Sequence, residues 1–292
     1  MNSMLPESSD LNPMNKNLER IPEILYKYCS FDSYGYSLQL ASNGEAYFES
    51  AKNVNDPFDN YFVPTTKMTD LEGHELFAFL RDKAREHHPT ASESEIQELV
   101  ELGRAQHQRL RDGDPRAIDP ILEVQYNRFG IFSLTAEPAS LLMWAYYGDS
   151  HKGVCVGLRS AVIAQHQTDL LEQRRLIMLH KVHYSAKLPE ICVDIGPGGM
   201  TDTQLHELEA TLYTKSEHWR HEDEYRLIFR DQAANSYIFG TDAITKVIIG
   251  SRTSDENIAA LVEQLRKEES KASVIRAVRS QSKYALEFEE LL

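Results

Sequence analysis

The sequence predicts an α+β fold with an inserted helical lobe. Three observations lead there: strand-like and helix-like segments alternate through the first two thirds of the chain, two helical stripes fill about Asp70 to Asp112, and the last third is rich in strands. No repeat, low-complexity tract or Gly/Ser linker forces a boundary, so residues 21–292 read as one domain with the insertion at about 68–115. Met1 to Asn17 is polar, with two prolines, and lacks the basic start and apolar run of a signal peptide, so 1–20 reads as a disordered tail.

Taken in order, Ile24 to Tyr28 is short, apolar and aromatic, which suits a strand, and Phe31 to Ala41 reads as a short helix or turn. Asn43-Gly44 turns the chain into a second strand, Glu45 to Ser50, and a polar, proline-punctuated loop follows from Lys52 to Asp59. In the lobe, Leu71, Leu76, Phe77 and Leu80 form one stripe and Ile96, Leu99, Val100, Gly103 and Leu110 another. Ser92 and Glu95 match a capping box, which starts the second helix near Ala91. The lobe's many Arg and His residues are balanced by Asp and Glu, as on a solvated face. Beyond Gly130 come a strand (Ile131 to Leu134), a helix (Ser140 to Tyr147) and a strand (Gly153 to Leu158). A helix from Ser160 to Leu171, a strand from Leu176 to Tyr184 and a helix from Thr203 to Thr214 follow. The last strands are Tyr225 to Phe229, Ile244 to Gly250, Val274 to Val278 and Tyr284 to Phe288, interrupted by a helix at Asp255 to Lys267 with Ile258, Leu261, Val262 and Leu265 inward.

Composition narrows the function. With 41% hydrophobic and 26% charged residues the 292-residue chain is ordinarily globular, and no apolar run reaches the ~18 residues that span a bilayer. A net charge of -14, from 31 basic and 45 acidic residues, repels phosphate backbones and anionic lipid and leaves only a local cationic cleft for a nucleotide. Cys29, Cys155 and Cys192 are widely spaced without a C-x-x-C pair, which fits free thiols in the cytoplasm. There is no dinucleotide fingerprint, phosphate loop or nucleophile elbow, and the one glycine cluster, Gly196-Pro197-Gly198-Gly199, reads as a loop. His218 and His221 stand three apart without an identifiable third ligand, so no metal is assigned.

Four segments together resemble the bacterial family called domain of unknown function 2971. They are Leu25-Tyr26-Lys27-Tyr28; Asn55-Asp56-Pro57-Phe58-Asp59; Met143-Trp144-x-x-Tyr147 running on to His151-Lys152-Gly153; and Lys215 with Trp219, Glu222, Glu224, Tyr225 and Arg226. More distantly, the order of elements resembles ADP-ribosyltransferase-like proteins, which split NAD at the nicotinamide bond inside a split mixed β-structure. That resemblance implies a nucleotide contact from Lys27 or Tyr28, a second motif at Ser133, and the E-x-E pair Glu222 and Glu224 before a strand.

The residue types suit that chemistry. Departure of nicotinamide leaves an oxocarbenium-like ribose, which Glu224 would stabilise while Glu222 orients or deprotonates an acceptor. Tyr28, Phe132, Trp144 and Tyr147 would stack on nicotinamide or adenine, Lys27 or Arg226 would meet the pyrophosphate, and Asn55 and Asp56 would line the site. Each residue also has a plainer role. Glu222 and Glu224 pair with Lys215, Arg220 and Arg226, Trp144 and Tyr147 pack in the core at helical spacing, and Asn55 to Asp59 forms an Asx-type turn.

The leading expectation is an enzyme that takes NAD as substrate and modifies a protein or nucleic-acid acceptor, or hydrolyses NAD, with a role as toxin or antiviral effector implied by the resemblance. The alternatives are a non-catalytic nucleotide- or protein-binding module, and a metal-dependent nuclease using Asp56, Asp59, Glu222 and Glu224, with His218 and His221 as further candidates. No membrane partner is expected, and the oligomeric state stays open.

Overall fold

β1 (Ile24–Cys29) alternates strictly: Leu25 and Cys29 join one apolar cluster, while Tyr26 and Tyr28 join another on the opposite face. The computed structural model describes residues 21–31, 35–65, 71–192 and 202–291. The expected tail at 1–20 and the loop at Gly196-Pro197-Gly198-Gly199 lie outside the described residues.

After β1 come α1 (Tyr36–Asn43), β2 (Glu45–Ser50) and β3 (Val63–Thr65). α1 ends on Gly44 at φ 75°, whose N–H closes onto the carbonyls of Gln39 and Leu40, a left-handed stop that glycine adopts without strain. The inserted lobe is α2 (Gly73–His87) and α3 (Glu93–Arg111), packed through Leu76, Leu80, Ala84, Ile96 and Val100. Leu76, Leu80, Ile96 and Val100 come from the two expected stripes, and Ala84 adds one further turn to the first. Gly103 lets the pair close, because a Cβ there would sit 2.8 Å from Leu80 Cδ2.

The capping box is formed in full. The Ser92 hydroxyl accepts the Glu95 N–H, and the Glu95 carboxylate accepts the Ser92 N–H at 2.7 Å. Ser92→Ala is therefore expected to destabilise α3 by about 1 kcal/mol, read from the urea midpoint. An unchanged midpoint would show that α2 alone holds the helix start.

The chain continues through α4 (Asp119–Arg128), β4 (Phe129–Thr135), α5 (Leu141–Tyr146), β5 (Val154–Arg159), α6 (Ser160–Glu172) and β6 (Ile177–Lys181). Three short pieces follow, β7 (His183–Ser185), β8 (Glu190–Cys192) and β9 (Thr214–Ser216), with α7 (Asp202–Thr211) before the last of them. The chain then runs through β10 (Glu224–Arg230), β11 (Asn235–Ile238), β12 (Ile244–Ile249), α8 (Asp255–Lys267), β13 (Ser273–Arg279) and β14 (Leu286–Glu290).

Among the described residues these strands form one ten-stranded mixed sheet and two small parallel pairs, β3 with β8 and β7 with β9. The α+β class is what the sequence predicts. The large sheet divides at β4. One edge of β4 is zipped along its length to β10, from Phe129 opposite Arg230 to Thr135 opposite Glu224. The other edge meets β2 at Gly130 and Ile131 and β1 at Thr135. From β1 the sheet continues through β5 and β12 to β13 and β14, and β12 with β13 is its parallel pair.

Leu25, Phe48, Phe132, Leu227, Phe229 and Leu261 fill the core between one sheet face and the helices α1, α6 and α8. The other face carries Tyr28, Met143, Trp144 and Ile248 in a smaller cluster beside α5. Two expected elements are shorter than the sequence predicts. The strand expected over Leu176 to Tyr184 breaks at Val182, because β10 begins at Glu224 and Val182 N–H caps that strand's first carbonyl at 2.9 Å. The helix expected to Thr214 ends at Thr211, and its tail becomes β9 beside β7.

Candidate functional site

The first turn of β10 carries the charge. Glu224 and Arg226 are two apart in an extended strand and so share a face, opposite Thr135 and Ser133 of β4. Glu222 ends the preceding 3-10 turn, Glu217–Glu222, and Asp223 at φ 41° reverses the backbone so that both glutamates converge. The Lys215 ammonium, delivered by β9, lies 2.5 Å from Glu222 Oε2 and 3.1 Å from Glu224 Oε2.

Arg226 binds both ends of the arrangement. Its Nε donates to Glu224 Oε1 at 2.8 Å, its Nη1 and Nη2 donate to the two Asp59 oxygens at 2.9 and 2.5 Å, and Nη1 also reaches the Leu212 carbonyl at 2.7 Å. The residues are buried throughout: Arg226 is 1% exposed, Glu222 2% and Glu224 3%. Burial pushes the Glu224 carboxyl up, but Arg226 and Lys215 outweigh it and hold the carboxyl well below the usual carboxylate range. Burial pulls Lys215 and Arg226 down, and the carboxylates, Glu224 foremost, raise both above their ordinary values.

The Asn55-to-Asn60 loop closes the site from the other side. Asp56 Oδ1 accepts the Phe58 N–H at 2.9 Å and its Oδ2 accepts the Trp219 indole N–H at 2.7 Å. Asn55 Nδ2 donates to the Tyr147 hydroxyl at 2.7 Å, and that hydroxyl donates to Glu222 Oε1 at 2.6 Å. Burial and the Glu222 carboxylate raise the Tyr147 phenol far above its ordinary value, so it serves as a donor. Above this floor opens a cleft of about 350 Å³ lined by Asp56, Phe58, Tyr61, Lys187, Lys215 and Trp219, a volume suited to a small ligand. Phe58 is 62% exposed on a loop anchored from below through Asp59.

Of the residues singled out in the sequence, Glu222, Glu224, Arg226, Tyr147, Asn55 and Asp56 meet here, and Ser133 joins them by a hydrogen bond to Glu224. Lys27 and Phe132 do not. Phe132 neighbours Ser133 in an alternating strand, so it faces the other side of the sheet, and Lys27 Nζ lies 4.9 Å from its ring centre. Tyr28 and Trp144 pack edge to face at 5.1 Å in the cluster beside α5. Trp144 is fully buried, with its indole N–H on the Pro138 carbonyl at 3.0 Å.

The pairing of the glutamates with Lys215 and Arg226 is present, whereas Arg220 stands over the Tyr184 ring at 5.6 Å. His218 Nδ1 contacts Ser216 Oγ at 2.9 Å, and His221 Nδ1 contacts the His218 carbonyl at 3.2 Å. Among the described residues no group of three or more His, Cys, Asp or Glu side chains is arranged to hold a metal ion, and no helix is long and apolar enough to cross a membrane.

Tyr61, Lys187 and Trp219 are cleft walls whose role no motif in the sequence marks. Trp219 was visible as a polar-flanked tryptophan three residues before Glu222, but its neighbour Asp56 is 163 residues away.

Residues 143–227 match the model of the family described as protein of unknown function (DUF2971), as the resemblance implies. The matched span holds Tyr147, Lys215, Trp219, Glu222, Glu224 and Arg226. No curated protein and no solved structure matches the chain.

Proposed function

For a chain that carries the DUF2971 sequence over residues 143–227, we propose that the Trp219 cleft binds a nucleotide of the NAD class. One observation carries this reading: aromatic side chains and an exposed ammonium line the same open cleft, Phe58, Tyr61 and Trp219 beside Lys187. Aromatic faces stack on any base or nicotinamide ring, and an exposed ammonium meets phosphate as a point charge. Glu222 and Glu224 then act from below. They hold Lys215 at the cleft floor and, through Arg226 and Asp59, fix the loop that presents Phe58.

A second reading, cleavage of the nicotinamide–ribose bond with water or a protein or nucleic-acid group as acceptor, is favoured by the division of the sheet at β4 and by the E-x-E pair at the head of β10. In that case Glu222, held by Tyr147, is the carboxylate that meets the ribose hydroxyl or the developing positive charge.

Titration with NAD tests both. The chain has two tryptophans and Trp144 is wholly buried, so ligand-dependent quenching reports on Trp219. Trp219→Ala is expected to weaken binding, followed by calorimetry, by about 1–3 kcal/mol; undiminished affinity in that variant overturns the cleft assignment. Release of nicotinamide by the wild type, abolished in Glu222→Gln and Glu224→Gln, would establish cleavage. Binding without release leaves the protein as a nucleotide-binding module.

A further inference from the structure

We infer that Lys187 and His218 form a two-pronged seat for the phosphates of the ligand, an inference that rests on the nucleotide reading above and gives His218 a contact of its own. The two residues hold equivalent places. β7 and β9 run parallel with Ser185 opposite Ser216 at their ends, so the chain leaves both strands at the same end, from positions about 4.8 Å apart. Each serine then turns its own exit in the same way. Ser185 Oγ accepts the Lys187 N–H at 3.0 Å and donates to the Lys187 carbonyl at 2.7 Å, while Ser216 Oγ accepts the His218 N–H at 3.5 Å. Two residues beyond each strand stands a basic side chain, a lysine in one case and a histidine in the other, both exposed and both on the cleft lining.

The other charged groups of the lining leave this pair to the ligand. Lys215 is committed to Glu222 and Glu224 at 2.5 and 3.1 Å. Asp56 bonds to the Trp219 indole and the Phe58 N–H on the aromatic side, and its carboxylate turns a phosphate away from that side. Ser216 Oγ holds the His218 ring through Nδ1 at 2.9 Å, so Nε2 is the nitrogen left for a ligand, and it is a donor whenever the ring is protonated. A nucleotide then lies across the cleft, with its ring against Phe58, Tyr61 and Trp219 and its phosphates between Lys187 and His218. In a chain of net charge -14, this basic wall is where an anion is admitted.

The test compares NAD⁺ with adenosine, which shares a stacking ring but has no phosphate, by calorimetry on the full chain and on Lys187→Gln and His218→Gln. Both positions are exposed, so the fold tolerates either change. Each substitution is expected to weaken NAD⁺ binding about fivefold, the size of one water-screened charge-assisted contact, and to leave adenosine unchanged. Histidine side chains change charge between about pH 5 and 8, whereas a pyrophosphate diester keeps its charge there. Wild-type affinity for NAD⁺ should therefore rise about fivefold as pH falls through that range, and His218→Gln should flatten the rise. The charged and titratable groups around His218 are Asp56, Tyr61, Lys187 and Lys215 in the cleft, with Glu217 and His221 on its own turn. His221→Gln removes the other imidazole and should keep the pH dependence. Undiminished NAD⁺ affinity in either cleft variant, equal weakening of NAD⁺ and adenosine, or a pH profile alike in wild type and His218→Gln overturns the inference while the nucleotide reading stands. If NAD⁺ does not bind the wild type, that reading fails and the inference fails with it.

Discussion

Replacing Arg226 by Met is expected to lower the unfolding free energy by roughly 3–5 kcal/mol, read from urea denaturation at neutral pH. The guanidinium fills a wholly buried position and satisfies two carboxylates and the Leu212 carbonyl at once. Removing it strands Asp59 and Glu224 as buried anions, with Lys215 3.1 Å from Glu224 but 3.9 Å from Asp59. A Lys at 226 restores the charge but not the fork, so most of the loss should persist. Neutralising the stranded partners as well, with Asp59→Asn and Glu224→Gln in the Arg226→Met background, should recover part of the stability, because the largest penalty is the unpaired charge. A loss below about 1 kcal/mol in the single variant would show that the ion pairs are worth no more than surface ones. The same substitution releases the Asn55-to-Asn60 loop, whose Asp59 anchor is on Arg226, so affinity for the proposed nucleotide should fall even though Arg226 does not line the cleft.

That coupling explains what the sequence could and could not disclose. α8 is legible because Leu261 and Leu265 recur at helical spacing and are both buried, and α3 because Ser92 and Glu95 cap each other within three residues. These signals are local. β3, β7, β8 and β9 have three residues each and exist only by pairing with a distant partner, so no periodicity could mark them. α4 carries no local signal either, since Ile121, Leu122, Val124 and Tyr126 make no clean helical stripe.

Within the site, Glu222, Glu224 and Arg226 were visible as a charged run before an apolar strand, but their partner Asp59 is 167 residues from Arg226 and nothing in either segment names the other. Lys27 and Phe132 illustrate a different gap. Their residue types suit a nucleotide, yet period-two alternation in β4 already sets Phe132 on the opposite face from Ser133. Chemical type was legible at each position, and the face it occupies depended on register and on the division of the sheet at β4.

The buried network also predicts how the protein responds to acid. Glu224 is held down to about 2 in the fold, the effect of burial being outweighed by Arg226 and Lys215, against 4.5 for the ordinary side chain. A carboxyl depressed in this way stabilises the fold above its unfolded value and loses that contribution as pH falls through the folded one. The contribution should therefore be complete at neutral pH, on the order of 3 kcal/mol, and drain away between about pH 4.5 and pH 2. Glu224→Gln removes the titrating group. The wild type should be the more stable protein at pH 7, and the gap between the two denaturation curves should narrow across that acidic window as Glu224 takes up its proton. A gap that stays constant from pH 7 to pH 2 would mean that Glu224 titrates alike in the folded and unfolded chain, and that Arg226 and Lys215 favour its charged form no more than water does. Through most of that window it is the unfolded chain that takes up the proton, and in the fold Glu224 keeps its charge, and its contact with Lys215 at 3.1 Å, until about pH 2.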